Sequence, residues 1–377
     1  MIPRFIQKSV IKDLFKGKVI LLFGPRQVGK TTLVRSIMRD VKVKSAYFNC
    51  DEPDVKQQLE GKTSTELKSF LGGAELVILD EAQRVLDIGM TLKLLVDTYP
   101  EIQIIATGSS SFDLSAKAGE PLTGRNFPYT LYPLSELELS VVHDPLYLRS
   151  TLEERLRFGQ YPEIYTAESN DKERLLGIIK KDYLLKDILA YGAIRGASKI
   201  MRLLQALALQ IGHEVWPAEL GNMLDMDRKT VESYLDVLEQ TFIIFRMPSF
   251  NRNLRKELGK RYKIFFYDLG LRNALINNFN PLKLRNDVGQ MWENYIIAER
   301  MKYHSYLQTS VNHYFWRTYD QQEIDLIEEK GGKITGHEMK WNPKRKHRVP
   351  KVFLSSYPGS KVEIITPDNY RNFVGKL

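Results

Sequence analysis

At 377 residues, the chain exceeds the about 250 to 300 residues that one hydrophobic core supports, so we expect several domains. Its composition, 43% hydrophobic and 27% charged, excludes a disordered protein, and no apolar run approaches the roughly 18 residues that span a bilayer. A single cysteine, Cys50, excludes an internal disulfide and, with an N-terminus unlike a signal peptide, favours the cytoplasm. Much of the net charge of +9 lies in two basic runs, 252–263 and 340–351, which suit a polyanionic partner or a solvated face.

The first motif is a glycine-rich turn between a predicted buried strand, 18–23, and a predicted helix. Such a turn lets backbone N–H groups converge on phosphate oxygens, and the helix N-terminus adds partial positive charge. We therefore predict an ATP site in which Lys30 reaches the β- and γ-phosphates and the Thr31 hydroxyl holds Mg²⁺. Its nucleotide-binding residues are Gly24, Pro25, Arg26, Gln27, Val28, Gly29, Lys30, Thr31 and Thr32.

Two carboxylates follow a second apolar run, 76–79, which is too short for a helix and reads as a buried strand. Asp80 is placed to bind the Mg²⁺ shell, and Glu81 to orient or deprotonate the attacking water. Two acids at a strand end can also simply begin a turn. Beside the glycine-rich loop, however, they predict ATP hydrolysis rather than binding alone.

A third predicted strand, 102–106, runs into a serine-rich segment, 107–111. Ser109 is a candidate sensor of the γ-phosphate, and the alternative is a turn that caps the next helix. Arg125 is a candidate arginine finger, acting in cis or toward a neighbouring subunit. Its alternative role is a surface salt bridge.

The order of these parts resembles the AAA+ ATPases, specifically a branch of bacterial and archaeal predicted ATPases whose C-terminal domain has no assigned function. The resemblance covers essentially the whole chain. It implies a central parallel sheet with Lys30 and Glu81 on adjoining strands, a helical lid after about Ser135 with Gly159 and Pro162 near the nucleotide, and a candidate ring or dimer. The blocks that carry it are 24–32, 79–83, 107–109, 124–125, 158–163 and 186–189.

The middle of the chain, 198–249, has a helical pattern and predicts a winged helix-turn-helix. After a first helix, the second is expected at 217–224 and the third at 230–240, and the strand that begins at Phe242 could form the wing. Arg228 and Lys229 are placed for DNA contact where the third helix begins. Three acids on that helix would repel phosphate, and winged helices also serve as protein-packing modules.

A hairpin with a testable register is predicted near the C-terminus, because two alternating segments flank Gly331 and Gly332. If these two glycines form the turn, Asp325 lies opposite Glu338. Like charges in direct opposition are destabilising unless a cation neutralises them. In the same register Lys340 opposes Glu323.

Asp325, Glu338 and Lys340, with Glu293 on a preceding helix, resemble the restriction-endonuclease-like nucleases. The resemblance implies that the acids hold Mg²⁺, with Asp325 and Glu338 as ligands, and that the lysine orients water or stabilises the phosphorane charge. The alternative is a solvated hairpin face held by a Glu323–Lys340 pair. The basic residues that could hold the flanking DNA backbone are Lys344, Arg345, Lys346 and Arg348. The six histidines show no zinc-ligand spacing, so no zinc site is expected.

These patterns predict an α/β multidomain fold: a P-loop NTPase parallel sheet (1–134), a helical lid (135–197), a winged helix-turn-helix (198–264) and a restriction-endonuclease-like α/β domain (265–377). The leading functional hypothesis is an ATPase that uses ATP and Mg²⁺ and acts on duplex or branched DNA, with a nuclease-like C-terminal domain and no membrane partner. One rival is a nucleotide-switched signalling or scaffold ATPase that binds a protein. Another is a DNA motor without cleavage.

Overall fold

A computed structural model describes residues 2–109, 122–184, 197–250, 262–318, 320–344 and 349–375. Among these residues, no helix has both the length and the hydropathy required to cross a membrane. Several predicted features lie outside the described residues, namely 110–111, 186–189, most of the first basic run (252–261), and Arg345, Lys346 and Arg348.

The chain separates into two compact units. The first contains Pro3–Tyr132 and the short segment Gln240–Phe242. The second contains Pro133–Glu239 and the described residues from Ile243 onward. Each unit has its own β-sheets.

A five-stranded parallel sheet forms the centre of the first unit. The strands are β1 Val19–Phe23, β2 Ser45–Asn49, β3 Leu76–Asp80, β4 Gln103–Gly108 and β5 Asn126–Thr130, in the order β2-β3-β4-β1-β5. The helices are α1 Ile6–Lys12, α2 Lys30–Asp40, α3 Pro53–Leu59, α4 Ser64–Phe70 and α5 Ile88–Thr98.

This strand order corrects one expectation, that Lys30 and Glu81 follow adjoining strands. Strand β4 lies between β1 and β3 and pairs with both of them. All six residues of β4 are buried, which suits a central position in a parallel sheet covered on both faces. Since the strands are parallel, the loops after β1, β3 and β4 still leave the sheet at the same edge.

The second unit begins with a run of short helices, followed by three longer helices and a three-stranded sheet. The helices are α6 Glu136–Val142, α7 Pro145–Ser150, α8 Leu152–Phe158, α9 Pro162–Thr166, α10 Ser169–Ile178 with the π-helical Ile179–Leu184, α11 Ala197–Leu209, α12 Pro217–Leu224 and α13 Arg228–Gln240. The strands are β6 Glu214–Val215, β7 Ile244–Pro248 and β8 Tyr262–Phe266, in the antiparallel order β6-β8-β7.

The helix predicted at 217–224 is confirmed at both ends. Helix α13 begins two residues earlier than predicted, at Arg228. The cause is Asp227, whose carboxylate accepts the Thr230 backbone N–H at 2.9 Å and so caps the first turn. The predicted wing strand starts two residues late, at Ile244.

The C-terminal part of the second unit is a four-stranded sheet with helices packed around it. Its elements are α14 Leu269–Leu275, α15 Val288–Tyr306, β9 Asn312–Arg317, β10 Glu323–Lys330, β11 Lys333–Met339, α16 Lys351–Ser356, β12 Lys361–Ile365 and α17 Tyr370–Val374, and the strand order is β12-β11-β10-β9. The predicted hairpin register is confirmed, because Leu326 pairs with His337 and Glu328 with Thr335. One more residue in the same register sets Asp325 opposite Glu338.

Helices α8 and α14 approach each other unusually closely at Gly270. A methyl group added to this residue would overlap the Phe158 carbonyl oxygen and come 2.9 Å from the Gly159 nitrogen. Asp268, just before α14, fixes the same contact by accepting the Gln160 backbone N–H at 2.6 Å and the Leu271 N–H at 3.0 Å. Gly159 packs against Asp268 within the second unit. Its expected position near the nucleotide, like that of Pro162, stays a prediction.

Replacing Gly270 by alanine should lower the free energy of unfolding by about 2 kcal/mol, because backbone atoms cannot move aside as a flexible side chain does. Gly289→Ala is the matched control: Gly289 is also the second residue of a helix, and an added methyl group meets nothing within 4 Å. The control should be neutral or stabilising by up to about 1 kcal/mol. Urea unfolding followed by tryptophan fluorescence measures both variants, and equal stability of the two would contradict the close approach.

Candidate functional sites

The glycine-rich loop after β1 leads directly into α2, which starts at Lys30. The Lys30 ammonium is buried and donates to the Gly24 and Pro25 carbonyl oxygens at 2.7 and 3.1 Å. A methyl group on Gly24 would overlap the Leu131 carbonyl oxygen, so the loop can follow this path only without a side chain there. The first N–H groups of α2 have no acceptor within the helix. Together with the ammonium they form a donor set that fits phosphate oxygens.

Asp80, at the end of β3, lies next to this loop and is 4% exposed. Its carboxylate accepts the Thr31 hydroxyl at 2.7 Å, the Tyr47 hydroxyl at 2.6 Å and the Thr107 hydroxyl. Burial, with the adjacent Asp80 charge, raises the pKa of Tyr47 to about 12, so Tyr47 remains a hydrogen-bond donor at neutral pH. The Thr31 and Asp80 oxygens form the kind of hard, closely spaced pair that Mg²⁺ binds. The two Mg²⁺ ligands that were predicted at the nucleotide site, Thr31 and Asp80, thus lie next to each other.

Glu81 has a left-handed backbone conformation, with φ of 54°, which is rare for a residue with a side chain. Its N–H donates to the Thr107 hydroxyl at 3.0 Å, and its carboxylate accepts Gln83 Nε2 at 2.6 Å. The same Gln83 nitrogen lies 3.2 Å from the Ser109 hydroxyl. Strain of this kind concentrates at functional sites. A continuous polar chain therefore joins Ser109, the candidate phosphate sensor, to the candidate water-activating acid.

Three partners in this site were not assigned a role from the sequence. Gln83 and Thr107 lie within blocks 79–83 and 107–109, which carry the family resemblance, but the sequence did not predict the hydrogen bonds that they make. Tyr47, on β2, carried no signal, because only the pairing of β2 with β3 brings it to Asp80.

Arg125 lies in the same unit, just before β5, and its guanidinium bonds the Asp97 carboxylate at 2.6 Å. Both side chains are about 40% exposed. This contact is the surface salt bridge that was the alternative to an arginine finger. The finger role stays a prediction.

The parallel sheet, the glycine-rich loop and the strand-end acids define the class of this part of the chain, a P-loop ATPase domain. Residues 16–140 match the family described as AAA domain, in agreement with that class. The rest of the chain matches two families, each described as a domain of unknown function: DUF8612 over residues 149–282 and DUF4143 over residues 288–372.

Relatives match over most of the chain. An uncharacterized protein of Mycobacterium tuberculosis is 29% identical over 335 residues, which cover 87% of this chain and 71% of that protein. An uncharacterized protein of Methanocaldococcus jannaschii is 27% identical over 314 residues, covering 72% and 64%. The fold is similar to that of the Walker-type ATPase PABY2304 of Pyrococcus abyssi, with a TM-score of 0.50 and 17% identity, covering 73% of this chain and 96% of that one.

In the second unit, a carboxylate cluster forms where α15 meets the start of β10. Carboxylate oxygens of Glu293, Glu323 and Asp325 all lie within 4.8 Å of one another, close enough to share a metal ion. However, the Lys263 ammonium of β8, 1% exposed, already bonds Glu293 at 2.7 Å and also bonds Glu323. A divalent cation bound by these two acids would have to displace this internal cation.

The other half of the cluster pairs Asp325 and Glu338 with Lys340. The Lys340 ammonium is 2.5 Å from Glu338 and 3.4 Å from Asp325, and Asp325 also accepts the Met339 backbone N–H at 2.7 Å. The sequence thus predicted the meeting of Glu293, Asp325, Glu338 and Lys340. It assigned no role here to Lys263.

Glu323 has other partners than those expected. It bonds Lys263 and lies 3.7 Å from Arg317, whereas the bonds of Lys340 among the described residues go to Asp325 and Glu338. The Glu323–Lys340 pair, which belonged to the alternative of a solvated hairpin face, is therefore not formed among the described residues. The β9–β10 register shifts between Ile324 and Ile327, and such bulges re-aim the side chains beside them.

Burial shapes the protonation of the cluster. It raises the pKa of Glu293 to about 8, with a smaller contribution from Asp325 and against the opposing charge of Lys263. Burial and Asp325 raise the pKa of Glu338 to about 7. A cavity of about 1020 Å³ adjoins this half of the cluster and is lined by Glu323, Glu338, Lys340, Lys351, Ile364 and neighbouring residues. It is large enough for a small polar ligand.

The residues predicted to contact DNA are only partly described. Arg228 and Lys229 are exposed at the start of α13, and Lys344 is exposed after β11. Arg228 bonds Glu232 on the same helix at 2.9 Å. The other two acids of that helix, Asp236 and Glu239, are both bonded by Arg246. All three acids that would repel phosphate are thus paired with arginines.

Replacing Lys263 by methionine should lower the free energy of unfolding by about 3 kcal/mol at pH 8, because the buried Glu293 and the partly buried Glu323 lose their cation. The loss should be smaller at pH 5. The pKa of Glu293 is raised above its usual 4.5, so the folded state holds a proton that the unfolded chain releases, and stability falls as pH rises from about 4.5 to 8. Without Lys263 the pKa of Glu293 rises further, so stability continues to fall beyond pH 8 in the variant.

Denaturant unfolding of both proteins at the two pH values measures the effect. Lys333→Met, at the exposed hairpin turn, is the control and should change stability little at either pH. A loss for Lys263→Met that is the same at pH 5 and pH 8 would contradict the assigned role.

Proposed function

We propose that the chain hydrolyses ATP at the site formed by Lys30, Thr31, Asp80 and Glu81 and uses the reaction to act on DNA. The proposal of ATP hydrolysis rests on the contact of the Thr31 hydroxyl with Asp80 at 2.7 Å, directly after the phosphate-binding loop. It links a phosphate-binding element to an acid at a strand end, which is the combination that nucleotide hydrolysis requires.

In this proposal the residues of the nucleotide site have separate roles in phosphate binding and water activation. Lys30 and the first N–H groups of α2 bind the phosphates and stabilise charge that develops on them. Bound Mg²⁺, held by Thr31 and Asp80, would neutralise phosphate charge. Glu81 orients the water or accepts its proton, and Gln83 holds the Glu81 carboxylate in place at 2.6 Å. Ser109 connects to Gln83 and is the proposed sensor of the γ-phosphate.

Action on DNA is proposed from charge and architecture. Helices α11 to α13 with strands β6 to β8 have the element order of a winged helix, and Arg228 and Lys229 are exposed where its third helix begins. Arginines pair with the acids of that helix, which removes much of the repulsion of phosphate. The formal net charge of +9 favours a polyanion. Domain boundaries at about 134, 197 and 264 remain part of this proposal.

Glu81→Gln should reduce the ATP turnover rate by at least about 100-fold while ATP still binds, because the amide cannot accept the proton of the water. Steady-state phosphate release and equilibrium nucleotide binding measure the two effects. Glu52→Gln, an exposed acid of the same unit, is the matched control and should retain full turnover. Full activity of Glu81→Gln would remove Glu81 from the mechanism.

DNA affinity should fall steeply with salt, because each neutralised phosphate releases counterions. The double variant Arg228→Gln with Lys229→Gln should bind more weakly and reduce the slope of log affinity against log salt by about 2. Arg174→Gln, another exposed arginine, should leave the slope unchanged. Fluorescence anisotropy with duplex and branched DNA measures the slopes. If the wild type binds no DNA at low salt, the rival scaffold function is favoured.

A second candidate activity is Mg²⁺-dependent cleavage of DNA by a restriction-endonuclease-like domain. The observation that favours it is the opposition of Asp325 and Glu338 with Lys340 between them, next to a large cavity. In this proposal these acids hold Mg²⁺ with Glu293, and Lys340 stabilises charge on the phosphate. The ammonium of Lys263 opposes it, since that cation already neutralises Glu293 and Glu323.

If the second activity exists, Asp325→Ala should abolish Mg²⁺-dependent cleavage of labelled DNA, because the acid shared by both halves of the cluster is lost. Asp320→Ala, an exposed acid just before β10, should leave cleavage intact. Absence of cleavage by the wild type would remove the nuclease while leaving a DNA motor in place. Strand-displacement assays with the wild type and Glu81→Gln would then test that motor.

A further inference from the structure

Three histidines from separate elements surround one buried carboxylate in the C-terminal sheet. His304 lies on α15, His313 on β9 and His337 on β11, while Glu328 lies on the strand between them, β10. Glu328 is 8% exposed and is the direct cross-strand partner of His313. Neither the nucleotide site nor the carboxylate cluster uses any of these four side chains.

Ligand atoms of His304, His313 and Glu328 all lie within 4.8 Å of one another, and His337 approaches the other oxygen of Glu328. His304 Nε2 is 2.8 Å and His313 Nε2 is 3.7 Å from Glu328 Oε1, and His337 Nε2 is 3.5 Å from Oε2. In a tetrahedral zinc site with bonds of 2.0 to 2.1 Å, neighbouring ligand atoms are about 3.3 Å apart. The observed separations lie on both sides of that value. His337 would have to move toward the other three side chains to complete a four-ligand site.

Two of the imidazoles have ring nitrogens that lie 3.5 to 3.7 Å from carboxylate oxygens of Glu328 or Glu363, at or beyond the limit of a hydrogen bond. Among the residues that the structure describes, His313 Nε2 and both ring nitrogens of His337 are buried and make no hydrogen bond. His337 is only 2% exposed. Buried polar atoms of this kind normally have a partner, and an imidazole nitrogen without one is a free lone pair or an unsatisfied N–H. A metal ion would bind to such a free lone pair.

The surroundings position the ligands. His304 Nδ1 lies 2.7 Å from the Thr309 hydroxyl, which fixes the ring and leaves Nε2 toward Glu328. Arg300 donates to both Glu328 oxygens at 2.6 and 2.8 Å. Each carboxylate oxygen has two lone-pair sites, so an ion can still bind beside the arginine, but the guanidinium already neutralises Glu328 and the imidazoles would supply most of the binding.

We propose that His304, His313, His337 and Glu328 bind a transition-metal cation, most suitably Zn²⁺. Imidazole nitrogen with one carboxylate suits zinc rather than Mg²⁺, which prefers an oxygen-only shell. Four protein ligands would close the coordination sphere, so the role is structural: the ion ties α15 to β9, β10 and β11. The site is independent of the proposed function, and its test does not depend on ATP or DNA.

Zinc binding to the chelator-treated full-length protein is measured by competition with a chromogenic zinc chelator. The wild type should bind one Zn²⁺ per chain, with no competition from Mg²⁺. His313→Ala and His337→Ala should each weaken binding at least about tenfold. His213→Ala, which removes an exposed histidine of the same unit, is the matched control and should bind like the wild type.

Thermal unfolding provides a second readout, because an ion that binds only the folded chain raises Tm. Zn²⁺ should raise the Tm of the wild type and of His213→Ala, but not that of His313→Asn with His337→Asn, whose circular dichroism shows whether it folds. The proposal is overturned if the wild type shows no saturable zinc binding. It is equally overturned if the folded double variant binds zinc as tightly as the wild type.

Discussion

The contact on which the first unit depends is the buried Asp80 carboxylate, which accepts hydroxyl groups from three separate elements. Thr31 comes from the first turn of α2, Tyr47 from β2 and Thr107 from β4. A carboxylate at 4% exposure is costly unless its oxygens are bonded, so these elements must meet at one edge of the sheet. The fold thereby places the end of β3 against the phosphate-binding loop, although β4 separates β3 from β1.

The two acidic sites are neutralised in different ways, and this difference bears on their chemistry. At Asp80 the hydrogen-bond partners are neutral hydroxyls, so a cation could bind there without displacing an internal cation. In the C-terminal cluster the partners are the ammonium groups of Lys263 and Lys340, so a metal there competes with internal charge. Binding of a metal cation should therefore be more favourable at Asp80 than at the C-terminal carboxylate cluster. For the same reason the charges at the two sites support ATP hydrolysis more strongly than phosphodiester cleavage.

Sequence patterns predicted what is local and missed what distant segments bring together. The loop before Lys30 and the register of Asp325 against Glu338 follow from short-range rules of turn geometry and alternation, and the structure has both. The insertion of β4 between β1 and β3 depends on long-range packing, as does the arrival of Lys263 from β8 at Glu293. The prediction of no zinc site used the spacing of the histidines along the chain. That spacing cannot detect side chains that the fold brings together from four elements.

Helix α15 and strand β10 connect the two charged groups of the C-terminal domain. The helix carries Glu293 and His304, and the strand carries Glu323, Asp325 and Glu328, so both elements contribute to both groups. An ion held by the histidines would fix the helix against the strand at one end of both elements. It would thus also constrain the spacing of Glu293 and Asp325 at the other end, where the Lys263 ammonium lies. Under the zinc proposal, metal binding would therefore constrain the carboxylate cluster through shared rigid elements rather than through direct contact.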